Sequence, residues 1–171
     1  LLPVKTLTIT QIDSTLPLVS WTHAMPTAIA GYDIYLGDTL TGTKLNLTPL
    51  SVNNYSDTGY AGDERSYTVV ASDSNGVQAS RALSLPKLSI ELVAGTPLLR
   101  NVMNRLQYKV SNLGTQGISN ARVKAKIGTR EISSEIFGLA AGESKTIPVV
   151  VGGYADIVNP AVLISTIDIS P

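Results

Sequence analysis

The chain has 171 residues, a formal net charge of zero and no cysteine, and 43% of its residues are hydrophobic while 15% are charged. The neutral charge argues against a nucleic-acid binder, and the lack of cysteine excludes disulfides and thiolate metal sites. No apolar run approaches the roughly 18 residues of a membrane-spanning helix, so we expect no direct membrane insertion.

Short strands joined by turns are the pattern of the whole chain. Fourteen glycines and nine prolines are spread along it. Between them, apolar and polar residues alternate, as where Leu7 and Ile9 alternate with threonines. Alternation with a period of two gives a strand one buried and one solvated face. We therefore predict an all-β chain of two tandem antiparallel β-sandwiches with almost no helix.

Three strands of the first half carry the predicted core. Each places large apolar or aromatic residues at alternate positions, which puts them on one face. The predicted core residues are Trp21, Tyr32, Ile34, Tyr67 and Val69, with Val19 in phase with Trp21.

The stretch 55–80 carries the most specific pattern in the first half. It runs from a turn through a strand ending at 67–71 to a polar turn at 73–76. It resembles the second half of a fibronectin type III module. Residues 19–22 and 31–35 fall where that family keeps its core tryptophan strand and its Tyr-rich third strand. The resemblance implies a β-sandwich over about residues 1–86 that acts as a spacer or binding scaffold.

The second half begins directly with alternation over 88–92. Further strands are predicted at 106–110, 121–127, 132–137, 144–149 and 161–169. The segment 108–114 (YKVSNLG), the strand 121–127 and the segment 139–147 (LAAGESKTI) resemble the CARDB family of bacterial, adhesion-related immunoglobulin-like repeats. The resemblance implies an immunoglobulin-fold β-sandwich over about residues 87–171, although 152–160 fits no pattern of that family.

The predicted boundary lies at Pro86 and Lys87. A single proline between two strands predicts a stiff junction. The first part carries four basic and seven acidic residues and the second nine basic and six acidic, which gives net charges of −3 and +3. The chain starts at Leu1 without an initiator Met or a signal peptide, so we expect a fragment of a longer protein.

Two unique residues are the first candidates for function. Trp21, the sole tryptophan, is either a core residue or a sugar-stacking platform, and its phase with Val19 favours the core. His23, the sole histidine, is expected on an exposed loop. One histidine without cysteine builds no usual zinc site, and no G-x-S-x-G motif supports a Ser-His-Asp triad. We therefore expect no catalytic residue, no cofactor and no enzymatic activity.

Acidic residues offer a possible calcium site. Asp57, Asp63 and Glu64 fall in one loop region and Asp73 in another. Calcium needs six to eight oxygen ligands, no D-x-D-x-D-G run is present, and Asp and Gly are ordinary turn residues. Turn formation is therefore favoured over a metal site. Similarly, the 73–76 turn is explained better as a hairpin than as a display loop.

A row of basic residues is the weak binding candidate. Arg122, Lys124 and Lys126 alternate along one strand, with Arg130 just beyond. They suit an anionic polymer such as a glycan or a phosphate-bearing wall component. The alternative is the solvated face of an edge strand, where lysines deter strand addition. Tyr60 and Tyr154 are the aromatic residues predicted to lie in loops.

Two functional hypotheses follow. The first is a non-catalytic spacer pair, adhesion-related, in a larger exported or cell-surface prokaryotic protein, whose partners are the other domains of that chain. The alternative is a glycan- or protein-binding accessory module of a secreted enzyme or adhesin, with a glycan or surface protein as partner. Both imply an extracellular or cell-surface location and no nucleic acid.

Overall fold

The computed structural model describes residues 1–12, 16–154 and 163–170. Their regular structure consists of antiparallel β-strands and one short 3-10 turn at Pro26–Ala28, which confirms the predicted all-β sandwich class. Among these residues, none of the helical structure is long and apolar enough to cross a membrane.

The chain divides into two compact units. The first is built mainly from Leu1–Thr10 and Leu16–Leu85, and the second mainly from Pro86–Ile169. The main division therefore falls at Pro86. That each unit is an independent domain of the predicted family stays a prediction.

The first unit contains two antiparallel sheets. One has the strand order β1-β2-β5 and the other the order β4-β3-β6-β7. The strands are β1 (Thr6–Ile12), β2 (Leu18–Thr22), β3 (Gly31–Leu36), β4 (Thr43–Lys44), β5 (Asn54–Ser56), β6 (Arg65–Ser72) and β7 (Gln78–Leu85).

The core of the first unit lies on the alternating positions of these strands. In the first sheet Leu7 lies opposite Trp21, and in the second Ile34 lies opposite Val69. All four side chains are buried. Strand β6 differs from the predicted alternation, because Thr68 and Val70 on its other face are buried too. A central strand between β3 and β7 is flanked on both sides, and the Thr68 hydroxyl donates a 2.6 Å hydrogen bond to the Gly37 carbonyl.

A buried asparagine completes the edge of β3 beyond the two-residue strand β4. The Ile34 N–H donates to Asn46 Oδ1 at 2.7 Å, and Asn46 Nδ2 donates to the Tyr32 carbonyl at 3.1 Å. The side-chain amide thus takes the place of a peptide group on a neighbouring strand. Asn46 Nδ2 also lies 2.8 Å from the Thr48 carbonyl and 3.0 Å from Asp33 Oδ1.

The second unit also contains two antiparallel sheets. One has the order β13-β9-β8, and the other places β10 between β14 on one side and β11 and β12 on the other. The strands are β8 (Leu88–Ala94), β9 (Asn104–Asn112), β10 (Ile118–Ile127), β11 (Arg130–Ser133), β12 (Phe137–Leu139), β13 (Ser144–Val151) and β14 (Leu163–Ser170).

Alternate residues of these strands form the second core. Its members include the following fully or almost fully buried residues: Leu106, Tyr108, Val110, Val123, Ala125, Leu139, Val149, Val151, Ile167 and Ile169. The Tyr108 hydroxyl is 3.0 Å from the Ser165 hydroxyl, so the polar end of this buried ring has a partner.

One predicted strand of the second half is wrong. Residues 132–137 were expected to form a single strand, but β11 ends at Ser133 and β12 begins at Phe137. Ser134 causes the break, because its N–H donates to the Val123 carbonyl while its Oγ accepts from the Val123 N–H at 3.0 Å. The chain then leaves the ladder. The predicted start of the last strand at 161 lies outside the described residues.

The two turns that carry the resemblance of the second half meet in space. The Asn112 N–H donates to the Glu143 carbonyl at 2.9 Å. Asn112 shapes its own turn by accepting from the Gly114 N–H and donating to the Gln116 carbonyl. Glu143 does the same, since its carboxylate accepts from the Ala140 N–H at 2.7 Å. The side chains therefore shape the two turns, and the main-chain bond joins the turns at one end of the sandwich.

Candidate functional site

Trp21 lies inside the first sandwich. It is 3% exposed, and its ring meets Tyr32 edge to face with centroids 5.3 Å apart. The other predicted core residues, Ile34, Tyr67 and Val69, are fully buried. The indole therefore offers no accessible face for stacking on a sugar.

His23 is not exposed, contrary to the sequence-based expectation. It is 8% exposed, and both ring nitrogens contact the backbone. The Met25 N–H donates to Nδ1 at 3.0 Å, so Nε2 carries the proton and donates to the Leu2 carbonyl at 2.8 Å. The amino-terminal residues cover the imidazole, which sequence alternation does not reveal. In this tautomer neither nitrogen is available as a base.

The most connected polar cluster surrounds Asp57, which is 2% exposed. One carboxylate oxygen accepts from the Tyr67 hydroxyl at 2.7 Å and from Arg65 Nη1 at 2.5 Å. The other accepts from the Gly59 N–H at 3.0 Å. Arg65 then donates to the Gly59 carbonyl at 2.6 Å and lies 3.2 Å from an Asp63 oxygen. This cluster fixes the loop before β6 to the start of that strand.

Electrostatics in the Asp57 cluster favour a structural role. Burial, followed by the hydrogen bond to Asp57 and the charge of that residue, raises the pKa of Tyr67 far above its ordinary value. Tyr67 is therefore a neutral hydrogen-bond donor at physiological pH. Arg65 stands between Asp57 and Asp63 and supplies the positive charge that a calcium ion would supply.

The remaining acidic candidates do not come together as a metal site. Asp73 accepts from the N–H groups of Asn75 and Val77 at 2.8 and 3.0 Å, which is a turn built by an aspartate side chain. Among residues 1–12, 16–154 and 163–170, no group of three or more His, Cys, Asp or Glu side chains is placed to hold a metal ion.

The basic row lies on β10, and the expectation that this is an edge strand is wrong. Strand β10 has neighbours on both sides because β14, from the end of the chain, pairs with it. Arg122 and Lys126 are exposed. Lys124 lies 2.7 Å from Asp168 and 2.9 Å from Glu131, and these hydrogen bonds raise its pKa. The middle of the row is thus neutralised.

The two loop tyrosines each face an arginine. The guanidinium of Arg65 lies 5.3 Å from the Tyr60 ring centroid, and that of Arg130 lies 4.2 Å from the Tyr154 centroid. Both tyrosines are half-buried. Cation–π contact orients the rings and covers part of each face. The Tyr154 carbonyl also accepts from the Asn101 N–H, which holds this part of the 152–160 segment against the loop before β9.

An apolar loop before β9 was missed by the sequence analysis. Asn104, which is buried, organises it by accepting from the Leu99 N–H at 2.7 Å and donating to the carbonyls of Leu99 and Val102. Leu99, Val102 and Met103 are left exposed. The available signal was an asparagine at the start of an alternating strand, where its side chain can bond to nearby backbone groups.

Comparison with known proteins identifies no family for this chain. No protein-family model matches the chain, and no curated protein matches it. Among solved structures, the chain is similar to chitinase ChiA74 from Bacillus thuringiensis, with 18% sequence identity and a TM-score of 0.40. The similarity covers 94% of this chain and 28% of the chitinase chain, so the chain spans just over a quarter of that protein's length.

Proposed function

We propose that the chain is a non-catalytic pair of β-sandwich modules from a larger exported or cell-surface prokaryotic protein. In this proposal the first is a fibronectin type III-like module and the second a CARDB-like immunoglobulin-fold module. The pair holds other domains of its parent protein apart, in a protein that acts in adhesion outside the cell. Its partners are those other domains, and it binds no nucleic acid and inserts into no membrane.

The observation that carries the proposal is that the side chains suited to acid–base chemistry are already engaged in hydrogen bonds within the fold. His23 uses both ring nitrogens in backbone hydrogen bonds, and Asp57 uses both carboxylate oxygens within the sandwich. General acid–base catalysis requires such a group within reach of a substrate proton. Here His23 instead joins the end of β2 to the backbone at Leu2, and Asp57 joins the loop before β6 to that strand.

The strand arrangement supports the two module assignments. The first unit pairs a three-stranded sheet with a four-stranded one, and its candidate tryptophan lies on the second strand. In the second unit, the turns around Asn112 and Glu143 that carry the CARDB resemblance contact each other directly. A shared structural role for these turns explains why both motifs appear in one chain.

A paired assay of hydrolysis and retention tests the proposal. The purified chain is incubated with a panel of polysaccharides, including anionic wall polymers, and new reducing ends and bound protein are measured. We expect neither hydrolysis nor retention. Hydrolysis that disappears in a folded His23→Gln variant would overturn the non-catalytic assignment, because that change removes the imidazole and keeps a hydrogen-bonding side chain.

A glycan- or protein-binding accessory module of a secreted enzyme or adhesin is the second candidate. Arg122 and Lys126 favour it, because they stay exposed on β10 on either side of the neutralised Lys124. For this candidate, retention on an anionic polymer falls with salt and is lost in Arg122→Ala with Lys126→Ala. The matched control is Lys5→Ala with Lys87→Ala, which removes the same charge elsewhere. Equal losses in both double variants would indicate non-specific charge attraction.

A further inference from the structure

The edge strands of the two units differ in how they are protected. A free strand edge presents unpaired backbone groups and invites pairing with another chain. Four of the edge or flanking strands, β4, β5, β11 and β12, have two to four residues, too few for extended pairing. Among the longer strands in the described part of the chain, β7, β13 and β8 each pair with another strand on one side alone.

Strand β7 carries an inward-pointing cation. Arg81 lies directly opposite the buried Val69 on β6, so both side chains face the sandwich interior. The guanidinium donates to the carbonyls of Val4 and Lys5, which closes this edge with a charged group. An inward charge on an edge strand is one of the devices that block strand addition, because a paired neighbour would bury it.

Strand β13 also has a cation in phase with its buried residues, although this side chain stays exposed. Lys145 lies opposite the buried Val110 on β9, and its Nζ donates to the Gly138 carbonyl at 2.7 Å. Pro148 lies in the middle of the strand and has no N–H to offer to a further strand. Each of these two long edges therefore carries a cation in phase with the buried residues, Arg81 in the middle of β7 and Lys145 near the start of β13.

Strand β8 has no such protection. Its inward positions are Leu88, Ile90 and Leu92, all half-buried, and its outward positions Ser89 and Glu91 are exposed. The strand contains no inward charge and no proline. A register shift between Leu92 and Ala94 disturbs only its last residues. Five regular residues are thus left with one unpaired edge among the described strands.

The direction of the free backbone groups on β8 follows from one hydrogen bond. The Leu113 N–H donates to the Lys87 carbonyl, while Leu88 lies opposite Asn112. In an antiparallel pair the hydrogen-bonded positions alternate. Ser89 and Glu91 therefore bond to β9, whereas the N–H and carbonyl groups of Leu88, Ile90 and Leu92 point away from it. These three residues form a free ladder edge.

We propose that β8 pairs with β8 of a second copy of this chain, antiparallel, with the two-fold axis at Ile90. Leu88 then lies opposite Leu92, and Ser89 opposite Glu91. Every free backbone group of the five residues finds a partner, and the half-buried apolar side chains of both copies form one row. The outcome is a symmetric, isologous dimer.

Charge and backbone chemistry select this register. Centring the pair on Glu91 would place two carboxylates opposite each other, which is destabilising. Centring it on Ser89 would extend the ladder to Pro86, which has no N–H. Two five-residue edges bury far less than the roughly 1,200–2,000 Å² of a stable interface, so we expect weak, concentration-dependent association.

Engineered cysteines test the register, since the chain has none of its own. The Ser89→Cys and Glu91→Cys variants, mixed and mildly oxidised, should form a mixed disulfide because directly opposite residues lie about 4.5 Å apart. Ser89→Cys alone should not, because its diagonal separation is about 7–8 Å. The matched control mixes Ser80→Cys with Ala82→Cys, which flank Arg81 on β7, and no cross-link is expected. Equal cross-linking in all mixtures would overturn the proposal.

Sedimentation tests whether an inward cation on β8 prevents self-association. Wild-type chain should show a rising average mass as its concentration approaches about 1 mM. Ile90→Lys, which gives β8 the inward cation that β7 and β13 have, should stay monomeric and keep the wild-type circular dichroism spectrum. A wild type that stays monomeric over this range, together with no mixed disulfide between the Ser89→Cys and Glu91→Cys variants, overturns the proposal. If Ile90→Lys fails to fold, the cysteine mixtures decide it alone.

Discussion

The hydroxyl of Tyr67 donates a 2.7 Å hydrogen bond to the carboxylate of Asp57, ten residues earlier in the chain. Arg65 Nη1, at the first residue of β6, donates to the same carboxylate oxygen. The loop before β6 is therefore held by one buried acceptor that serves a neutral and a charged donor.

Tyr67→Phe removes the hydroxyl and leaves Asp57 paired with Arg65. A hydrogen bond to a charged group contributes about 1.5–3 kcal/mol, so we expect the free energy of unfolding to fall by that amount. Urea denaturation measures it. The control is Tyr55→Phe, whose hydroxyl makes a 3.4 Å contact with the Leu45 carbonyl, and its loss should stay below about 1 kcal/mol. Equal losses would show that the Asp57 bond contributes little.

Alkaline pH should destabilise the fold. Burial, followed by the bond to Asp57, raises the pKa of Tyr67 above the ordinary 10.0, and burial raises that of Tyr108. The unfolded chain then releases these protons at lower pH than the folded chain. Stability is therefore full below pH 10.0 and falls as the pH rises above it. Melting temperatures against pH measure the fall, and Tyr67→Phe should make it shallower. An unchanged slope in that variant would contradict the assignment.

Asn46→Asp should destabilise the first unit strongly, although the two side chains have nearly the same size and shape. In the wild type, the Tyr32 and Thr48 carbonyls and the Asp33 carboxylate accept from the Asn46 amide. The new carboxylate would face these three acceptors without a hydrogen to donate. We expect a loss of at least about 2 kcal/mol near neutral pH. Because the charged form is disfavoured, the loss should shrink as the pH falls and the new carboxyl is protonated. Asn54→Asp, at an exposed position of β5, is the control and should change little.

Trp21→Ala should leave a large cavity and lower the free energy of unfolding by about 3–5 kcal/mol. Trp21→Phe should lose clearly less, because the buried indole nitrogen has no hydrogen-bond partner in the described structure. Thermal and urea unfolding compare the two variants. An alanine variant that melts within about a degree of wild type would place the tryptophan at the surface.

Chelation should leave the melting temperature unchanged, because Arg65 already supplies the positive charge between Asp57 and Asp63. The measurement compares wild type in EDTA with wild type in excess Ca²⁺. A drop in EDTA that Ca²⁺ reverses, and that Asp63→Ala removes, would identify a calcium site in this loop.

Local patterns predicted the strands and their faces well. The alternation around Trp21 and along β9 and β10 follows directly from the period of a strand and needs no knowledge of distant residues. Asp73 in its turn was likewise predicted, because its side chain bonds to the N–H groups of Asn75 and Val77 nearby in sequence.

Contacts between distant segments could not be predicted in this way. Burial of His23 depends on Leu2, and the interior position of β10 depends on β14 at the far end of the chain. The break at Ser134 depends on Val123. In each case the deciding partner lies more than ten residues away, and a single sequence holds no record of which loops meet.

The contact of Arg81 with Val4 and Lys5 has a mechanical consequence. Val4 and Lys5 directly precede β1, and Arg81 lies in the middle of β7, so the guanidinium fastens the first strand of this unit to its last. A force applied at the amino end would therefore act on β7 through these hydrogen bonds as well as on the partners of β1. A module placed in line within a longer, stretched protein would thereby resist peeling from its first strand.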